Sequence, residues 1–384
     1  MRLRLVPLAL LAATMLLSGV ATYGALGNTR THVKTKAPTQ TKPAAPAFQL
    51  PGTVYLAQGG ALYSLRAGVF TQLTSAAGWS QPSVFPNGTG LLAVKREAAF
   101  SDVYRMSLDG SGATQLTHNA ASRFTRDTGA NHWSFYPRLA PDGATVFMAY
   151  DSAKFADYEV DTAIWAVPMG SAISRGLRWS TPNSYTGGDL QPLPLASGAL
   201  LYVKWDQDAD GSKASQIMYT NRRLSAGKAL TTLADDCSQP ALSPDGTTLA
   251  MICSHKQQTS QLVLASFDGS NLGPLRTVVS DLLVAQPTWA PDGSGIAFLA
   301  PALADAPFQL WFLPQAAYTV APSPAPSPSP VPSPSPAHPG KSSPTPRTSP
   351  HTSPKPSPSP TPVKPIQMTT DLGLDATSAI AWKV

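Results

Sequence analysis

Five times along the chain a short polar-Pro opening runs into a tight turn and leaves it through an apolar stretch. The segments are QPSVFPNGTGLLAV from Gln81, YPRLAPDGATVFMAY from Tyr136, QPLPLASGALLYVKW from Gln191, QPALSPDGTTLAMI from Gln239 and QPTWAPDGSGIAFLA from Gln286. They recur about every 50 residues, and self-similarity at such a period marks a repeat architecture whose units bury a face against their neighbours. A Pro-Asp-Gly turn between apolar stretches joins two antiparallel strands. Further strands follow, as in DVYRMSLDGSGATQLT from Asp102 and QLVLASFDGSNLGPLRTV from Gln261, each with a second Asp-Gly turn. Four strands per unit predict the blade of a β-propeller, an all-β fold.

The two ends of the chain supply a sixth blade. The C-terminal MTTDLGLDATSAIAWKV matches VVSDLLVAQPTWAPDG ahead of the fifth turn, so SAIAW reads as an innermost strand without a blade of its own. The three missing strands lie at the other end, in GTVYLA from Gly52, ALYSLR from Ala61 and VFTQLT from Val69. The prediction is a six-bladed propeller over residues 51–320 and 366–384, closed by N- and C-terminal strands that share one blade. Closure of this kind removes exposed sheet edges. Residues 321–365 interrupt the fifth repeat between FQLWFL and IQMTT, and eighteen of the 39 prolines fall between Tyr318 and Pro365. Alternating Ser-Pro and Thr-Pro form neither helix nor ladder, so this insertion is expected to be disordered and extended, in polyproline II conformation. It reads as a spacer or adhesive arm, or as a tolerated loop expansion.

The sequences APDG, SPDG, LDGSGATQLT and DVYRMSLDG are close to the blade pattern of WD40-like (PD40) repeats. Over about residues 51 to 314 and 366 to 384 the chain resembles the TolB-like family of exported six-bladed propellers. The resemblance implies the fold and no single activity, since related propellers serve in peptidases and in many binding proteins. The family's namesake carries an α/β domain ahead of its propeller, where this chain shows a leader and a linker.

Residues 1–27 read as a signal peptide or an N-terminal membrane anchor: Met1-Arg-Leu-Arg4 precedes an uncharged apolar run from Leu5 to about Gly27. Cleavage after Ala21 or Gly27, and retention as a span with Arg2 and Arg4 inside, both fit this pattern. No cysteine follows the run, which excludes a lipobox-type lipoprotein. A polar linker occupies residues 28–50, and in either case the body is expected outside the cytoplasm. The two cysteines, Cys237 and Cys253, sit symmetrically about the turn at Asp245. Paired strands place them opposite each other, which predicts a cross-strand disulfide in an exported protein; the alternative is two small buried hydrophobes on one hairpin.

A net charge of +6 and a pI near 9.3 suggest a polyanionic partner until the charges are located. Residues 1–47 hold six Lys/Arg and no acid, and the Pro-rich insertion holds four more and no acid. Elsewhere eighteen basic groups face 22 acidic ones, so the body is mildly acidic, which argues against nucleic acid as a partner. Membrane contact is expected only through the N-terminal segment, and the body is expected to be a monomer.

Candidate sites follow from the repeat positions. The openings place Gln81, Tyr136, Gln191, Gln239 and Gln286 near one mouth of the central channel, with Arg138 beside them. Amide side chains donate and accept, so this ring is a candidate grip for a peptide or glycan; alternatively, each glutamine satisfies backbone groups between blades. Trp133, Trp165, Trp179 and Trp205 read as core or as platforms, and Trp289 as inter-blade packing. Asp206, Asp208 and Asp210 in DQDADG have the ligand spacing and the following glycine of a calcium loop, the one cofactor expectation. Ala214 and Ile217 stand where that loop's closing ligands belong, so an acidic turn is the alternative reading. There is no GxSxG elbow, no zinc spacing among the six histidines and no carboxylate pair fit for catalysis. The expected function is non-enzymatic binding or scaffolding of an envelope protein, a peptide or a cell-wall glycan. The alternative is an enzyme, hydrolase or lyase, at the channel mouth.

Overall fold

The computed structural model describes residues 48–122, 128–152, 160–255, 259–319 and 363–383. The leader at 1–27, the linker up to residue 47 and residues 320–362, which hold most of the Pro-rich insertion, lie outside the described residues. Six four-stranded antiparallel sheets are present, and each packs its innermost strand against those of two neighbours. Five take their four strands in chain order, with innermost strands Trp79–Val84, Ser134–Leu139, Asp189–Pro194, Cys237–Leu242 and Ala285–Trp289. We number these blades 1 to 5. In the closing blade, Ala381–Lys383 pairs with Thr53–Gln58, which is followed outward by Ala61–Arg66 and Val69–Gln72. The register sets Val54 opposite Trp382, whose indole N–H donates to Pro51 O at 2.7 Å. Blade 5 completes itself across the Pro-rich insertion, since Ile366–Gln367 pairs with Phe308–Pro314.

The recurring turn has a local cause. In PDG the aspartate Oδ1 of Asp142, Asp245 and Asp292 accepts from the N–H two residues on, at 2.8, 3.1 and 3.0 Å. The glycine between them takes φ of +70°, +74° and +74°, a region closed to most side chains. The Asp245 carboxyl lies below the usual range, held there by its bonds from Ser243 and Thr247.

Each second strand is apolar on both faces because each face meets a different blade. In Thr248–Cys253 the side chains of Leu249, Met251 and Cys253 pack with blade 3, and those of Ala250 and Ile252 with blade 5. This is the period-2 alternation of a strand applied to a sheet with a neighbour on either side. Among the described residues the buried apolar side chains form six such clusters, one per blade interface. Among the described residues no further apolar cluster fills the centre of the ring, and the blades hold one another through the contacts between neighbours.

Candidate functional site

The innermost strands of blades 1 to 5 share a defect. Pairing with the second strand slips by one residue between Ser80 and Ser83, Phe135 and Arg138, Leu190 and Leu193, Ser238 and Ala241, and Ala285 and Thr288. Inside each bulge one residue turns left-handed: Gln81, Tyr136, Gln191 and Gln286 at φ +52° and Gln239 at +57°. A non-glycine residue costs about 1–2 kcal/mol there, and a residue before proline is ordinarily extended. Five repetitions of the same departure require a compensating interaction.

That interaction is a clasp running from blade to blade. The Gln81 N–H donates to Ser378 Oγ in the closing blade at 2.7 Å, and Gln81 Oε1 accepts from the Tyr136 N–H at 2.6 Å. Between blades 2 and 3 the Gln191 side chain lies close enough to the Tyr136 hydroxyl to favour its ionised form. Gln191 Oε1 accepts from the Gln239 N–H at 2.7 Å, and Gln239 Oε1 from the Gln286 N–H at 2.5 Å. The Gln286 Nε2 donates to Ala376 O at 3.0 Å, which returns the circuit to the closing blade. The amide oxygens of Gln81, Gln191 and Gln239 are therefore committed to the backbone of the next blade. Among the described residues, no acceptor is bonded to the Nε2 of Gln81 or Gln239.

Gln81, Tyr136, Arg138, Gln191, Gln239 and Gln286 all line one central cavity of about 30 Å³, together with the five prolines of the bulges and Ala379 and Ile380. The structure thus gathers the whole predicted ring, and Ala376, Ser378 and Ala379 occupy the sixth position. Burial pushes the Tyr136 phenol above its usual range, with the Gln191 side chain pulling it partly back. Burial alone lowers the Arg138 guanidinium, which has no ion pair or hydrogen bond among the described residues. Arg138 keeps some accessible surface and lines that cavity, at what we call the tunnel mouth.

The carboxylates of DQDADG do not converge. Asp206 Oδ1 accepts from the Gln207 N–H, Asp208 Oδ1 from the Ala209 N–H, and Asp210 Oδ1 from the N–H and hydroxyl of Ser212. Among the described residues no group of three or more His, Cys, Asp or Glu is placed to hold a metal. The turn joins Leu200–Gln207 to Lys213–Thr220, and the aspartates brace its backbone. Cys237 and Cys253 are opposite each other in the ladder with Cα atoms 4.1 Å apart, and they are disulfide-bonded and fully buried.

The tryptophans divide. Trp289 donates its indole N–H to Ala241 O of blade 4 at 2.9 Å, Trp179 meets Phe147 edge-on and Trp165 meets Tyr150 edge-on. Trp205 packs against the core shared by blades 3 and 4. Trp133 stacks on Phe135 beneath the Arg96 guanidinium, 5.5 Å from the ring centre. Sequence reasoning missed the buried aspartates that brace strand ends and loops. Asp102 accepts from Gln115, Thr117 and the Asn119 N–H, and Asp161 from the N–H groups of Tyr185, Thr186 and Gly187. Burial raises the Asp102 carboxyl above the usual range despite those bonds. The available signal was acidic residues at the starts of otherwise apolar strands.

No family model matches the chain, and no curated protein matches it. Solved structures do. TolB from Acinetobacter baumannii is 15% identical with a TM-score of 0.51, over 70% of this chain and 62% of that one. A protein of Agrobacterium tumefaciens described as a putative TolB is 16% identical with a TM-score of 0.48, over 69% and 85%. Hydrazine synthase of Kuenenia stuttgartiensis is 11% identical with a TM-score of 0.50, over 69% and 44%. The chain spans less than two thirds of the length of the Acinetobacter protein, and at these identities the likeness is one of fold. Six four-stranded blades, closed into a ring by the two ends of the chain, make this a six-bladed β-propeller, similar in fold to TolB.

Proposed function

We propose that the protein is an extracytoplasmic, non-enzymatic binding or scaffold module that engages a protein, peptide or cell-wall glycan at the tunnel mouth. One observation carries this reading: the mouth is walled by prolines, a phenol, a guanidinium and glutamine amides, and the inter-blade clasp holds the amides in fixed orientation. A rigid ring of polar groups binds without the cost of ordering itself on contact. The lining contains no carboxylate, imidazole, hydroxymethyl or thiol with which to build an acid–base or nucleophilic pair. The buried disulfide supports the compartment, since such bonds persist where the environment is oxidising.

The test is capture from envelope extracts by the exported body, followed by mass spectrometry, run in parallel with Gln81→Ala and Arg138→Gln. A partner retained by the wild type and lost by both variants supports the mouth. Equal capture by all three refutes it. Turnover of a wall-derived substrate that vanished with the same substitutions would make the protein an enzyme instead.

A further inference from the structure

The clasp consumes acceptors and leaves donors. With Oε1 turned to a backbone N–H, each engaged glutamine has its amide nitrogen as the remaining polar end, and an amide cannot present oxygen in both directions. Gln81 and Gln239 therefore offer uncommitted N–H groups at a cavity whose lining contains no carboxylate. Into the same cavity the structure sets Arg138, a cation with no counter-ion and no hydrogen-bond acceptor among the described residues. An enclosed charge without a partner is unfavourable, and an anion supplied from outside offsets that cost.

We propose that the tunnel at Arg138 is an anion site that receives a single carboxylate, the acidic side chain or C-terminus of a bound partner. The cavity, of about 30 Å³, is too small for a whole peptide or sugar residue. The anion therefore enters by its head, with the rest of the ligand outside the mouth. A guanidinium meets a carboxylate through two parallel N–H···O bonds, which a neutral amide does not reproduce. The identity of the carrier rests on the tunnel-mouth reading above; the anion site itself does not.

The experiment uses the full chain in chloride-free buffer. Acetate and its neutral isostere acetamide are titrated into wild type and Arg138→Gln, following heat of binding and melting temperature. Acetate is expected to raise the wild-type melting temperature saturably, acetamide to leave it unchanged, and Arg138→Gln to weaken acetate binding at least tenfold. The acetate-against-acetamide comparison needs no variant, so a misfolded Arg138→Gln leaves the test intact. Two further arms separate the sources. A short peptide with one glutamate that binds at least tenfold tighter than its glutamine counterpart supports a carboxylate on a partner. Chloride that matches acetate at equal concentration reassigns the site to a free inorganic ion and overturns the carboxylate assignment. Equal responses to acetate and acetamide, equal responses of wild type and variant, or no response to acetate overturn the proposal outright. Acetate binding without partner capture would sink the tunnel-mouth function alone, and capture lost with Gln81→Ala but unaffected by Arg138→Gln would sink the partner's carboxylate as the occupant and leave the mouth standing.

Discussion

Replacing Gln239 by alanine and by glycine separates the two halves of the clasp argument. Gln239→Ala removes the oxygen that accepts from the Gln286 N–H at 2.5 Å and keeps a Cβ on a backbone at φ +57°. Gln286 is only 5% exposed, so the abandoned donor sits in a nearly closed wall. An unsatisfied buried donor costs about 1–3 kcal/mol. The tunnel has room for a water that takes up the proton, which places the expected loss at about 1–2 kcal/mol. Gln239→Gly loses the same bond but relieves the left-handed strain, recovering about 1 kcal/mol. The expected order of stability is wild type, then glycine, then alanine, with a gap between the variants of about 1 kcal/mol. Equilibrium unfolding in urea under oxidising conditions, with Cys237–Cys253 intact and the denaturant slope checked for constancy, measures it. An alanine variant within about 0.5 kcal/mol of wild type, the range of inconsequential surface changes, would mean that the clasp carries no stability. A glycine variant less stable than alanine would refute the left-handed assignment.

Three more outcomes are expected. Deleting residues 366–384 removes the strand paired with Thr53–Gln58 and the outer strand of blade 5. The truncated chain should aggregate through its opened edges, while a short Gly/Ser bridge replacing 321–365 should unfold like wild type; a soluble, cooperative truncation would contradict the closure. Cys237→Ser with Cys253→Ser should cost about 3 kcal/mol in the same urea assay, as expected for opening a short loop; an unchanged midpoint would show that the disulfide adds nothing. Millimolar Ca²⁺ should leave the melting temperature of both wild type and Asp208→Ala unchanged, because the DQDADG carboxylates face their own backbone; a rise lost in the variant would restore the metal site.

Much of this architecture is encoded locally, and so it was legible. Proline, aspartate and glycine make the same turn wherever they occur together, and strand alternation does not depend on distant partners. Five copies of one pattern and a matching fragment at each end therefore sufficed to count six blades and to close them. The cysteines are a similar case, since equal spacing from one turn places Cys237 opposite Cys253. The channel ring was legible as a set of positions but not as chemistry. A glutamine before proline reads as extended backbone, and only the approach of the next blade turns Gln81, Gln191, Gln239 and Gln286 left-handed and aims their oxygens across the interface. The direction of those amides, the lack of a partner for Arg138 among the described residues and the inward use of Asp102 and Asp161 depend on residues in other strands and in neighbouring blades. Such contacts arise when the ring closes, because the groups that satisfy or fail to satisfy one another are brought together by packing and not by chain neighbourhood.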